Sequence, residues 1–225
     1  AASLLYLALL AVGRWTAAGF AGAAAAAAYQ PGILLTLVAP LWLLLEHRRL
    51  GLDPARALGR AVHVSALVLV GVLAVMGLQQ AETGRWNGFL LVEAKYGTGW
   101  HNPATTFVKT VVRQAPPPGA SGQSLAGQPG PRDQFRLVTI IVLVAVAATL
   151  TAGEHTPLEL AVLLYTAVFW LAPLVAGGHL AQYRMHALLT PSVLLLRRLP
   201  AAVAGILALL SGLAEEERTR IAREL

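Results

Sequence analysis

Seven side chains in this 225-residue chain have the types to hold a phosphorylated, sugar-bearing ligand: Arg85, Lys95, Tyr96, Trp100, His101, Arg184 and His186. Cations pair with phosphate through charge-assisted hydrogen bonds, and flat aromatic faces suit sugar rings. Five of the seven fall between positions 85 and 101, where they would line a groove at a membrane surface. The same residue types also form an interfacial belt, with Trp and Tyr at headgroup level and Lys and Arg touching lipid phosphate. Both readings stay open for each residue. Arg184 sits about one turn inside an apolar segment, where snorkelling is cheap, so it is either an anchor or a phosphate ligand. His186 is two residues on and points to a different helix face. No shared metal site is therefore expected.

Other chemistries are excluded by what the chain lacks. It has no cysteine, hence no disulfide, zinc finger or thiolate site. No Walker-type glycine loop, HExxH or GxSxG occurs, and no cofactor is expected. The acids near apolar segments (Glu46, Glu82, Glu154, Glu159 and a tail cluster) all stand at boundaries. A proton pump or ion-coupled transporter buries its acids in mid-span. The net charge is +6, yet the basic residues are scattered in pairs and short clusters rather than in a stripe. Nucleic acid is not the expected partner.

Composition names the elements that must position these side chains. Hydrophobic residues make up 56% and charged residues 12%, against about 25% charged in a soluble domain. That surplus must face lipid or a large assembly. The expected fold is all-α: a polytopic integral membrane protein of about six to seven transmembrane or half-membrane helices with one long extracytoplasmic loop. A bilayer core needs about 20 apolar residues as helix. Residues 1–13 are shorter than that and read as the exit half of a span, so further sequence is expected upstream of Ala1. With no charged region in it, this run is not expected to be a signal peptide.

Arg14 and Trp15 form an interfacial pair, and 17–28 is a small-residue helix with six consecutive alanines. Pro31 and Gly32 break the chain before the apolar run 33–45, so 15–45 is expected as two short helices with a bend at 29–32. Segments 62–78, 137–152, 158–176 and 180–196 read as spans. Segment 201–213 is a short or tilted one. His63 is expected at an interface, and Asp53 before Pro54 reads as a turn and helix start.

Arginine density orients the spans. Residues 47–60 carry four basic residues in 14 positions, whereas 81–136 carry six in 56. The basic loop 46–61 is accordingly placed in the cytoplasm and 81–136 outside. Parity then puts 153–156 and Arg197–Arg198 inside, and 177–183 outside. The expected organisation is 1–80 as N-terminal membrane helices, 81–114 as interfacial helices and 115–136 as a flexible Pro/Gly-rich loop. Residues 137–213 follow as C-terminal membrane helices, and 214–225 as a charged tail. Within the outer segment, 87–95 suits an amphipathic interfacial helix. Asn102-Pro103 is a helix start that predicts helix over 104–113.

The order of motifs is similar to the middle of PIG-V-like mannosyltransferases, polytopic glycosyltransferases of the GT-C class. The likeness is carried by Ser3-Leu4-Leu5-Tyr6-Leu7, Gly13-Arg14-Trp15, Ala18-Gly19-Phe20-Ala21-Gly22 and Pro31-Gly32-Ile33-Leu34-Leu35. Thr83-Gly84-Arg85-Trp86-Asn87 with Phe89, Trp100 and Asn102-Pro103 resembles that family's outer loop. Tyr183-Arg184 with Pro191 resembles the start of one of its last helices. The likeness spans most of the chain through short motifs. It implies transfer of a sugar, mannose in that family, from a polyprenyl-phosphate donor on the extracytoplasmic face. Two departures stand out. Gln30 replaces an arginine before the Pro-Gly, and the acidic general base of the first outer loop would precede Ala1.

Two functions follow as expectations. The first is a membrane glycosyltransferase, or part of one, in a bacterial plasma membrane, with membrane lipid and the lipid-linked donor as its partners. The second is a non-catalytic membrane subunit that binds other membrane proteins. Gln30, the missing acid and the small-residue helix 17–28 motivate it.

Overall fold

The computed structural model describes residues 1–88, 91, 99–111, 131–151, 153–176 and 187–199. Among these residues the chain is all-helical, with no strand. The order is α1 (Ala2–Ala11), α2 (Trp15–Ala28), a 3₁₀ turn (Gln30–Leu34), α3 (Leu35–Glu46) and α4 (Pro54–Thr83). Then follow α5 (Pro103–Val111), α6 (Pro131–Thr151), α7 (Pro157–Ala176) and a 3₁₀ helix (Ala187–Arg198).

Local signals account for most of the boundaries. Pro31 enters at the start of the 3₁₀ turn that separates α2 from α3. The Asp53 carboxylate accepts the Arg56 N–H at 2.9 Å, with Pro54 at the first helical position. That cap starts a single 30-residue helix rather than a loop helix followed by a separate span 62–78. In α5, Asn102 Oδ1 accepts the Ala104 N–H at 2.9 Å.

Three differences from expectation have physical reasons. Helix α6 begins at Pro131, six residues inside the segment expected as flexible loop, because proline at a first helical position needs no hydrogen-bonded N–H. Residues 187–198 form a 3₁₀ helix rather than an α-helix, with Pro191 inside it. Of the six to seven expected membrane segments, two described helices, α4 and α7, are long and apolar enough to cross a membrane. Residues 2–11, 30–46 and 138–151 are apolar but shorter. The expected interfacial helix 87–95 lies mostly outside the described residues. So do 115–130, the start of 180–196, and all of 201–225.

The core is formed where α1, α2, α3, α7 and the 3₁₀ helix meet, with one face of α4 (Ala61, Val64, Val68) and of α6 (Val142, Ala145) packed into it. Tyr6, Trp42, Tyr165 and Phe169 are its largest fully buried side chains. The polar tips of Tyr6, Trp42 and Tyr165 each find a carbonyl. Tyr6 Oη donates to Leu35 O at 2.9 Å, Trp42 Nε1 to Pro157 O at 2.9 Å, and Tyr165 Oη to Leu188 O at 2.7 Å. These bonds tie α1 to α3, α3 to α7, and α7 to the 3₁₀ helix, and they remove the cost of burying three polar groups. Tyr165 and Phe169 stack with centroids 4.2 Å apart.

Helix α2 lies against α4 through its small residues. A Cβ at Gly71 would stand 2.1 Å from Ala23 O, and one at Gly32 would stand 2.5 Å from Ala26 Cα. Both contacts are with backbone, which cannot move aside, so only glycine fits. Elsewhere α4 is bare: 22% of its most apolar window is buried, with Val62, Leu69, Val70, Leu73 and Leu78 exposed. A helix at the centre of a soluble protein buries such residues. An exposed apolar flank of this kind suits lipid.

Candidate functional site

The two ends of the bundle carry different chemistry. Helix α3 ends at Glu46 and α4 starts at Pro54 after a short turn, so both lie at one end, together with the start of α7 that Trp42 contacts. Arg85, Trp100 and His101 belong to the opposite end, at the far termini of α4 and α7.

At that opposite end the backbone does the positioning. The last carbonyls of a helix have no partner within it. Here the Gly99 N–H donates to Ala176 O at 3.1 Å and the His101 N–H donates to Val175 O at 2.8 Å. The segment before α5 thus caps the C-terminus of α7. Phe107 meets the Trp170 ring edge-on at 6.1 Å, and Trp170 Nε1 donates to Thr139 Oγ1 at 3.4 Å, which brings in α6. This seat leaves Trp100 92% exposed and His101 exposed beside it. Arg85 follows the end of α4, where its N–H donates to Thr83 Oγ1 at 3.3 Å, and its side chain is exposed next to half-exposed Trp86.

Of the seven side chains singled out by type, three are therefore described. Trp100 and His101 come together on the segment that caps α7, and Arg85 stands at the end of α4. Among the described residues, no hydrogen bond, ion pair or ring contact joins Arg85 to either. Lys95, Tyr96, Arg184 and His186 lie outside the described residues. Chemically, this end offers exposed aromatic rings and a guanidinium, groups able to meet an anionic or sugar-bearing ligand.

The other end holds a buried ionic centre that residue types did not point to. Glu159 is 2% exposed. Thr156 caps α7, and the pair reciprocates: Thr156 N–H donates to Glu159 Oε2 at 2.8 Å while Glu159 N–H donates to Thr156 Oγ1 at 3.2 Å. The same carboxylate then accepts Arg197 Nε at 3.1 Å and Arg198 Nη2 at 2.8 Å. Arg198 also donates to Glu154 O at 3.1 Å. Donating to the Glu159 carboxylate raises the Arg198 pKa above arginine's ordinary value, so this guanidinium stays charged. Nearby, Arg49 pairs with buried Glu46 at 3.4 Å and donates to His155 O at 3.0 Å.

A sequence signal for this centre exists: Thr156-Pro157-Leu158-Glu159 is a capping box with proline at the first helical position. It locates the carboxylate but says nothing of arginines 38 and 39 residues away. On the same end, Arg60 lies over the Trp15 ring at 5.1 Å, and Trp15 meets Trp42 at 5.9 Å. His63, expected at an interface, shares a hydrogen bond with Thr16 at 3.1 Å and is exposed. Among the described residues, no group of three His, Asp or Glu side chains forms a metal-binding cluster.

No family model, no curated protein and no solved structure matches this chain.

Proposed function

We propose that this chain is a membrane glycosyltransferase, or part of one, that moves a sugar from a polyprenyl-phosphate donor at the extracytoplasmic face. Mannose is the sugar implied by the resemblance to PIG-V-like enzymes. The observation that carries the proposal is the end of the bundle where residues 99–101 cap α7. There Trp100 and His101 are exposed, and α4 delivers exposed Arg85 to the same end. Exposed apolar surface along α4 supports a membrane setting. The arginine-rich segments 46–60 and 197–198 share the opposite end, which supports placing that end in the cytoplasm.

In this reaction an acceptor hydroxyl attacks the anomeric carbon of the lipid-linked sugar, and a carboxylate takes its proton. The bond between anomeric carbon and phosphate oxygen breaks, and polyprenyl phosphate leaves with the electron pair. Arg85, Lys95, Arg184, His101 and His186 are the groups assigned to that phosphate: the charge of the first three stabilises it as it departs, and the imidazoles offer N–H donors. Trp100 and Tyr96 offer faces to the sugar. On the resemblance, the carboxylate belongs to that family's first outer loop.

The alternative, a non-catalytic subunit, drew part of its support from the small-residue helix. That face is already filled: Gly19, Gly22 and Ala23 pack on Leu67, Val68 and Gly71 of the same chain. The test is transfer of radiolabelled mannose from polyprenyl phosphate by the full-length protein. Substituting Arg85→Ala, Lys95→Ala, Trp100→Ala and Arg184→Ala singly should each lower transfer about 10- to 100-fold, the loss of one charge-stabilising or positioning contact. Undiminished transfer in all four would sink these roles.

A further inference from the structure

The Glu159 end has a surface of its own. Arg49 donates to His155 O and Arg198 to Glu154 O, so two guanidiniums meet consecutive carbonyls of one loop. Arg197 reaches the same Glu159 carboxylate as Arg198, and Arg48 precedes Arg49. Arg48, Arg49, Arg197 and Arg198 thus gather around this loop. The acids that offset them are spent differently: Glu46 and Glu159 are buried and engaged, and Asp53 pairs with Arg56. Of the four arginines, Arg49 and Arg197 keep 58% and 55% of their side chains exposed, and Arg48 is exposed as well. Against these three guanidiniums stands the exposed Glu154. Among the described residues, the accessible charge is therefore net positive.

What lies beside these arginines identifies the occupant. The Leu50 N–H donates to Glu46 O, so the helical spacing of α3 runs on through the turn. Leu44 and Leu45, 66% and 56% exposed, then fall one turn before Arg48 and Arg49. In the 3₁₀ helix, residues three apart eclipse, which sets exposed Leu194 directly before Arg197. Each accessible guanidinium stands above an exposed apolar side chain. A free phosphate would use the arginines alone, whereas a phospholipid uses both, phosphodiester on arginine and acyl chain on leucine.

We propose that this end of the bundle is a binding site for an anionic phospholipid headgroup. Arg48, Arg49 and Arg197 hold the phosphodiester, and Leu44, Leu45 and Leu194 receive the acyl chains. The site rests on the membrane-embedded reading of the bundle and is independent of sugar transfer.

The experiment follows thermal unfolding of the full chain in an uncharged detergent. It is titrated separately with dioctanoyl phosphatidylglycerol, dioctanoyl phosphatidylcholine and inorganic phosphate. Phosphatidylglycerol should raise Tm, and the other two should not. R48Q/R49Q leaves the Glu159 pairs in place, and its own unliganded Tm serves as baseline. It should weaken the phosphatidylglycerol response about 30-fold, the factor for two surface cations, and R48K/R49K should restore most of it. An equal response to phosphatidylcholine overturns the proposal, as does an equal response to inorganic phosphate. An R48Q/R49Q variant that responds like the parent overturns it too. A chain that leaves membranes without detergent overturns the membrane reading beneath it.

Discussion

The two ends of this bundle use charge in opposite ways. Around Glu159, arginines from the 3₁₀ helix converge on one buried carboxylate, and Arg49 engages buried Glu46. Around residues 99–101, backbone N–H groups and the edge of Trp170 hold the segment in place, and the ionisable and aromatic side chains are left exposed. The carboxylates that hold helices together are consumed by that task, while their partners Arg49 and Arg197 keep an exposed face. Where backbone does the holding, side chains remain available to a ligand.

The contrast can be broken experimentally, starting where the effect is largest. E159Q removes the charge that Arg197 and Arg198 share and should cost about 3 kcal/mol, the upper end for losing hydrogen bonds to a charged group. Denaturant unfolding in detergent measures it, and a cost below that of an ordinary surface substitution would show the centre to be ornamental. Next, G71V drives a side chain into the Ala23 carbonyl and should cost about 2 kcal/mol, read in the same assay. A neutral G71V would mean that α2 and α4 do not lie as close as described.

Smaller effects belong to the other end. F107A removes the edge contact with Trp170 and should loosen the seat of residues 99–101 by about 1 kcal/mol. Hydrogen exchange at the Gly99 and His101 amides should quicken about fivefold, the same energy expressed as a rate, while the amides of α3 keep theirs. R85A and W100A should change stability by less than about 0.5 kcal/mol, since their side chains are exposed, yet lower sugar transfer. If either variant unfolds the protein instead, its side chain is structural and the contrast between the ends fails.

Several elements are legible in the order of residues alone. Pro31-Gly32 announces the break between α2 and α3, Asp53-Pro54 the start of α4, and Asn102-Pro103 the start of α5. Each is a local signal, acting within a few residues through a fixed φ or a side-chain cap. The start of α6 at Pro131 is hidden because the same proline also ends a Pro/Gly-rich stretch, where composition outweighs position. Arg85, Trp100 and His101 can be picked by type, but the exposure of the last two depends on how residues 99–101 meet α7. No periodicity carries that information.

By itself, the sequence determined helical class, the apolar surplus and most helix starts, because these depend on composition and on neighbours a few residues apart. Tertiary structure decided that Glu159 would be the sink for Arg197 and Arg198. It also decided that α4 would fill the small face of α2, and that the backbone of Gly99 and His101 would cap the C-terminus of α7. The physical reason is common to all three. A buried carboxylate, a glycine face and an open row of carbonyls each demand a partner, but the demand is chemical and unaddressed. Only packing in three dimensions chooses which distant residue meets it.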